Sequence, residues 1–309
     1  MTIAESSQTR VAYIREATPG VTPATPAFKE LRYTGESFKH DRQNTTSNEM
    51  RPDRNVTDLT QTAGGASGGF NFELSYEAFD DFFEAALCGA WATNKVINGT
   101  AKYTHTFEKT YEQGATDTYL RYTGMEAGTL SIRLEAGGLA TGSLSFTGLG
   151  GSSDDAPITG ATYADAPTNE VMSAGFDFAD LAITGVTSPK VTRIELQIAN
   201  NMRQQRALGS VNAVGIGKGR CVVTGTATLY FENKEAYDLF LNGTAADLTF
   251  TLGGEDELQY IFNIPKLKFS DADVPASGND QDIVITLPFQ GLYDAGIGAT
   301  IEIERVPAA

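Results

Sequence analysis

Apolar and polar residues alternate along much of the chain. Leu130, Ile132 and Leu134 are interleaved with Thr129, Ser131, Arg133 and Glu135, the period of a strand with one face on a core and one on water. The same alternation runs through Ile194, Leu196 and Ile198; Ala227, Leu229 and Phe231; Leu248, Phe250 and Leu252; Ile283, Ile285 and Leu287; and Ile301 with Ile303. Clusters of Gly, Asn and Asp, rather than helices of a dozen residues, separate these segments. The pattern therefore predicts mainly antiparallel sheets and excludes parallel βαβ units.

Two segments carry the helical period instead. Phe79, Phe82, Phe83, Ala86 and Leu87 fall on one stripe while Asp80, Asp81 and Glu84 face away. Ser75 is expected to cap the first turn, Glu77 to suit its positive end and Gly89 to stop it. The shorter second helix has Asn233 as cap, Glu235 in the first turn, Tyr237, Phe240 and Leu241 on the stripe and Gly243 as stop. Both stripes are expected to be core.

The likeness of the helices extends outward. Residues 28–35 match 178–185 as F-x-[ED]-L-x-[YI]-T-G, residues 48–54 match 200–206 as N-x-M-R-x-x-R, and residues 146–149 match 289–292 as F-x-G-L. Four matches in one order, counting the helices, predict two copies of one β-rich unit. The units are placed at 1–155 and 174–309, with 156–173, poor in apolar periodicity, as a linker. Each copy carries a long polar arm, at about 42–68 and 199–219, and arms of this length are uncommon in compact domains unless they bind something or stay disordered. Asn48, Met50, Arg51 and Arg54, with Asn200, Met202, Arg203, Arg206 and Lys218, are the candidate contact residues. Met offers an adaptable apolar anchor, and Arg a forked contact to carboxylates.

Composition narrows the function. At 309 residues the chain suits about two domains. Its 23 basic and 39 acidic side chains give a net charge of −16, which argues against a protein that wraps nucleic acid. With 17 Phe and 12 Tyr it is too aromatic for a disordered chain. Cys88 and Cys221 lack metal-site spacing and read as small hydrophobes. The N-terminus shows no secretory signal, and no segment has the apolar length of a membrane span, so the expected place of synthesis and assembly is the host cytoplasm.

The chain offers no complete catalytic or metal-binding motif. The G-x-S-x-G at 65–69 precedes a strand rather than a helix, unlike a nucleophile elbow. Residues 215–219 lack the Ser or Thr and the helix of a phosphate loop and read as a hairpin tip. His40 and His105, the two histidines, have no partner at metal-ligand spacing and read as solvated or hydrogen-bonded strand residues. The acidic stretches 270–273, 278–282 and Glu255, Asp256 and Glu257 read as solvated turns. No cofactor is expected, and the chain does not read as an enzyme.

The run from Glu16 to Leu31, residues 48–58 and 68–87, and the segment 269–275 leading to 287–290 resemble the tail tube proteins of bacteriophages with long, non-contractile tails. The resemblance covers nearly the whole chain and implies a mainly β fold of two tandem β-sandwich or barrel units, each with one short flanking helix and a polar arm. It further implies rings that stack into a hollow tube for viral DNA, with the arm reaching an adjacent ring. The implied partners are further copies of the chain, the tape measure, tail tip and tail terminator proteins, and DNA in transit but not bound; no membrane is involved, and the final location is the virion tail. A duplicated chain would close its ring as a trimer with pseudo-sixfold symmetry, with a true hexamer as the alternative. A negative bore would let DNA slide, and Glu195, Glu302 and Glu304, opposite apolar strand faces, are its candidate lining. A monomeric adhesion module and a bacterial injection-tube protein are the competing readings.

Overall fold

A computed structural model describes residues 3–114, 116–253, 258–276 and 278–307; Glu255, Asp256 and Glu257 lie outside them. The first lobe contains β1 (Thr9–Arg15), β2 (Ala27–Glu30), β3 (Gly35–Glu36), β4 (Lys39–Thr46), β5 (Leu59–Glu73), helix α1 (Asp80–Leu87), β6 (Lys95–Ile97), β7 (His105–Tyr111), β8 (Thr118–Glu135), β9 (Thr141–Gly148), β10 (Gly150–Asp154) and β11 (Thr162–Ala164). The second contains β12 (Phe178–Ile183), β13 (Val191–Ala199), β14 (Arg203–Gln205), β15 (Gly215–Gly217), β16 (Val222–Tyr230), helix α2 (Glu235–Leu241), β17 (Ala246–Leu252), β18 (Gln259–Phe269), β19 (Val284–Gly291) and β20 (Glu302–Val306). The fold is mainly β, as the alternation predicts. Among the described strands all pairings are antiparallel except β2 with β11.

Strand order repeats between the lobes. In the first, pairing runs β4, β5, β9, β8, β7, β1. In the second it runs β13, β16, β19, β18, β17, β12. The F-x-G-L match sits at corresponding places: Phe146 faces Gly68 across β9 and β5, and Phe289 faces Gly225 across β19 and β16. A Cβ on Gly225 would lie 2.3 Å from the Phe289 ring, so glycine is required where the ring lies over the neighbouring strand. The match of 28–35 with 178–185 does not correspond in this way. β12 takes the place of β1 beside β17, whereas β2 lies one strand further out, against β1.

β8 links the layers and the lobes. Its first half pairs with β7 and β10, and its second half with β9 on one side and β13 on the other. The inner sheets of both lobes are thus one continuous sheet, and their apolar faces belong to one buried cluster. In the first lobe Phe107 of the outer sheet meets Phe38 and Phe146 at ring distances of 4.4 and 4.9 Å. Helix α1 closes the layer with Phe79 on Phe72 and Phe82 on Phe70. Residues 156–173 form a strap rather than a free tether. β11 lies along β2, Tyr163 stacks on Phe28 at 5.5 Å, and Met172 bonds through its backbone to Leu74 and Ala140.

The helices depart from expectation in detail. α1 starts at Asp80 with no side-chain cap; Ser75 is buried in a bridge to Val171, its hydroxyl unpartnered. Cys88, not Gly89, takes the left-handed position that ends the helix, with φ 52°. In α2 the Asn233 side chain does accept the Glu235 N–H, at 2.8 Å, and Gly243 ends the helix at φ 59°. Its stripe, however, is only partly core: Ala236 is buried, Leu239 and Phe240 pack partly, and Tyr237 and Leu241 are exposed. A helix this short covers one edge of the sandwich, so a three-residue apolar stripe overreaches the surface available to it.

Candidate assembly and channel surfaces

The two arms begin alike and end differently. The first continues the β4–β5 hairpin as far as Thr46 and Leu59, and the residues between them are exposed. Met50 is 97% exposed, Asn48 and Arg54 are exposed, and among the described residues Arg51 pairs with Asp53 alone, two residues on, at 3.0 Å.

The second arm folds back on the first lobe. Asn200 is 3% exposed and donates to the carbonyls of Ala86 at 2.8 Å and Ala127 at 3.2 Å. Its amide therefore satisfies one of the last carbonyls of α1, which the helix itself leaves free. Gln204 donates to the Gly148 carbonyl at 3.1 Å, Arg206 to the Gly64 carbonyl at 3.3 Å, and the Gly64 N–H to the Val211 carbonyl at 2.7 Å. Lys218 donates to the Ala101 carbonyl and lies 3.3 Å from the Cys88 sulfur. Arg203 braces the β14–β15 hairpin through the Lys218 carbonyl, and Met202 is half-buried. Residues 215–217 are thus a strand of that hairpin, not its tip. Nothing in the N-x-M-R-x-x-R spacing separates the buried Asn200 from the exposed Asn48, because the difference lies in what the fold brings beside each.

On the side away from the core, the continuous sheet forms an open groove of about 670 Å³. Rows of facing residues run across it. Asn71, Ser143, Ser131, Gln197, Thr224 and Gln290 face one another across six strands, a band of amides and hydroxyls. The next row is Glu73, Thr141, Arg133, Glu195 and Thr226, and beyond it Glu135 faces Arg193. This face is polar with paired charges rather than strongly acidic.

Of the three candidate glutamates, only Glu195 lies here. Glu302 and Glu304 are on β20, which pairs with the outer half of β18 and with β6, and both are ion-paired to Lys95 at 3.0 and 2.9 Å. Hydrogen bonds to Glu304 and Glu302 hold the Lys95 ammonium above its usual pKa. Strand alternation places these glutamates opposite an apolar face, but it does not say which sheet the strand joins.

The remaining chemistry-bearing residues are structural. His40 meets the Arg121 carbonyl at 3.1 Å, whereas His105 is fully buried among the rings of Phe82 and Phe107, and burial pushes its pKa down to about 4. His105 is thus a buried strand histidine rather than a solvated one. The Gly65–Gly69 stretch lies inside β5. Cys88 is buried and Cys221 half-buried, both free.

No curated protein matches the chain significantly. The family model described as phage tail tube protein matches residues 6–291. With a continuous antiparallel sheet, a polar groove and a match over nearly its whole length, the chain belongs to the phage tail tube family and is a structural protein of the virion tail.

Proposed function

We propose that the chain is a fused pair of tube units, that three copies close a ring with pseudo-sixfold symmetry, and that rings stack into a conduit for viral DNA with the groove face as its bore. The units are 1–155 and 174–309, joined by the strap at 156–173. Assembly takes place in the host cytoplasm, and the tape measure, tail tip and tail terminator proteins are the further partners.

The observation that carries this reading is the joint between β8 and β13, where one lobe's inner sheet continues into the other's. Registers support carrying that joint over to a second copy. Ser67 facing Thr147 and Phe70 facing Leu144 recur as Thr224 facing Gln290 and Ala227 facing Leu287, at constant offsets of 157 and 143. Lys39 faces Ser67 as Gln197 faces Thr224, and Ser131 faces Ser143 as Asp273 faces Thr286. By this correspondence the Ser131–Gln197 contact within the chain becomes Asp273 against Lys39 between chains. These two carry opposite charge and lie on edges that no other described strand covers. Charged edges resist random pairing and accept a partner in one register, and a head-to-tail joint that closes makes a ring.

The arms then divide their work. Arm two braces the lobes within a chain, while Asn48, Met50, Arg51 and Arg54 of arm one reach the next ring. Negative-stain microscopy of the purified chain should show rings or tubes with a central hole. Oxidised Lys39→Cys with Asp273→Cys should give a covalent ladder ending at three protomers. A ladder ending at six identifies a hexamer, whereas isolated particles and no ladder would overturn the ring.

A further inference from the structure

Arg133 lines the groove and Arg193 stands one row beyond it on the same face of the sheet, in a setting otherwise made of hydroxyls, amides and glutamates, and guanidinium is the side chain best shaped to grip a phosphate. Neither arginine is free. Arg133 Nη2 lies 2.8 Å from Glu135 Oε2, and its Nε lies 3.8 Å from Glu195 Oε1. Arg193 donates to the same Glu195 carboxylate. In the β8–β13 register Arg133 faces Glu195 and Glu135 faces Arg193, so the four form a square of alternating sign at the lobe joint. All four side chains are 40–60% exposed on the groove side, within reach of a polyanion. The other cations on this side of the sheet, Lys39 on β4 and Lys266 and Lys268 past β19, lie at its open edges and outside the groove lining.

We infer that Glu135 and Glu195 mask Arg133 and Arg193 from DNA phosphates, so that the groove stays silent toward a passing duplex while the arginines still join the two lobes. This rests on reading the groove as the bore. A square of zero net charge releases no counterions on meeting DNA, whereas each bared arginine adds a phosphate contact, and such contacts repeat around every ring and along the tube. Glutamate alone at these positions would set like charges against each other across the joint; arginine alone would hold the genome.

The test is Glu135→Gln with Glu195→Gln, which keeps side-chain shape and removes both masks, in the assembled protein. The probe is a short fluorescent blunt-ended DNA duplex titrated at several salt concentrations. Native assemblies should show no saturable binding at physiological salt. The double variant should bind at least about tenfold more tightly, with a log–log salt slope near −2 for each pair of bared arginines. Adding Arg133→Gln and Arg193→Gln should abolish the gain. Glu195→Gln alone, which frees Arg193, should give an intermediate effect and serves if the double variant folds poorly. Binding no tighter than native, or a gain that survives loss of both arginines, overturns the masking. Failure of the native chain to form rings would instead strike the tube reading, and microscopy reads that separately from the DNA titration.

Discussion

Arms one and two share a sequence signature and a place in the strand order, yet one projects into solvent and the other is built into the molecule. The difference comes from the neighbour each finds. Arm two starts from β13, which is hydrogen-bonded to β8, so its root falls beside the end of α1 and its hairpin beside Gly64 and Gly148. Arm one starts from β4, at the open edge of the sheet, where no second lobe of the same chain stands. A repeated segment therefore has a fixed role only after its partner surface has been supplied, as arm two's is here from within the chain.

The largest effect is expected from replacing residues 48–56 by a short Gly–Ser turn: long tubes should disappear in micrographs while the unfolding midpoint stays unchanged. Tubes of normal length would remove arm one from the contact. Asn200→Ala should destabilise the chain by about 2–3 kcal/mol in denaturant titration, because two buried carbonyls lose their donor, whereas Asn48→Ala should stay within about 0.5 kcal/mol.

Acid probes the lobe on which arm two rests. His105 has a folded pKa of about 4, below its unfolded value of about 6.5. Between those values the unfolded chain binds the extra proton, so stability falls as pH drops from about 6.5 and levels off below about 4. The loss is on the order of 3 kcal/mol, and His105→Phe should flatten that part of the pH profile. The smallest effect is kinetic. Trypsin should cut after Arg54 before Arg206, whose guanidinium is bonded to Gly64 and Gln204; equal rates would mean that arm two is as loose as arm one.

Some of this was legible in the chain and some was not, for identifiable reasons. The buried rows Leu130–Ile132–Leu134 and Ile194–Leu196–Ile198 follow directly from alternation, and the F-x-G-L match marks a real packing device. The α2 stripe misled because apolar periodicity describes a helix, not the size of the surface it covers. Glu302 looked equivalent to Glu195 because both alternate with aliphatic neighbours, Ile301 and Ile303 in one case and Ile194 and Leu196 in the other. The burial of His105 and the capping role of Asn200 depend on groups 20 residues away or more in sequence, Met125 and Ala86 among them.

Local sequence settled the alternation of core and solvent faces along most strands and to which family the chain belongs. Those properties follow from side-chain period and steric volume, which act over a few residues. Tertiary structure decided which strand edges meet, which arm is braced, and which charges stand opposite each other in the groove. Backbone donors and acceptors are the same along every strand, so the choice of partner edge is made only when the whole sheet assembles.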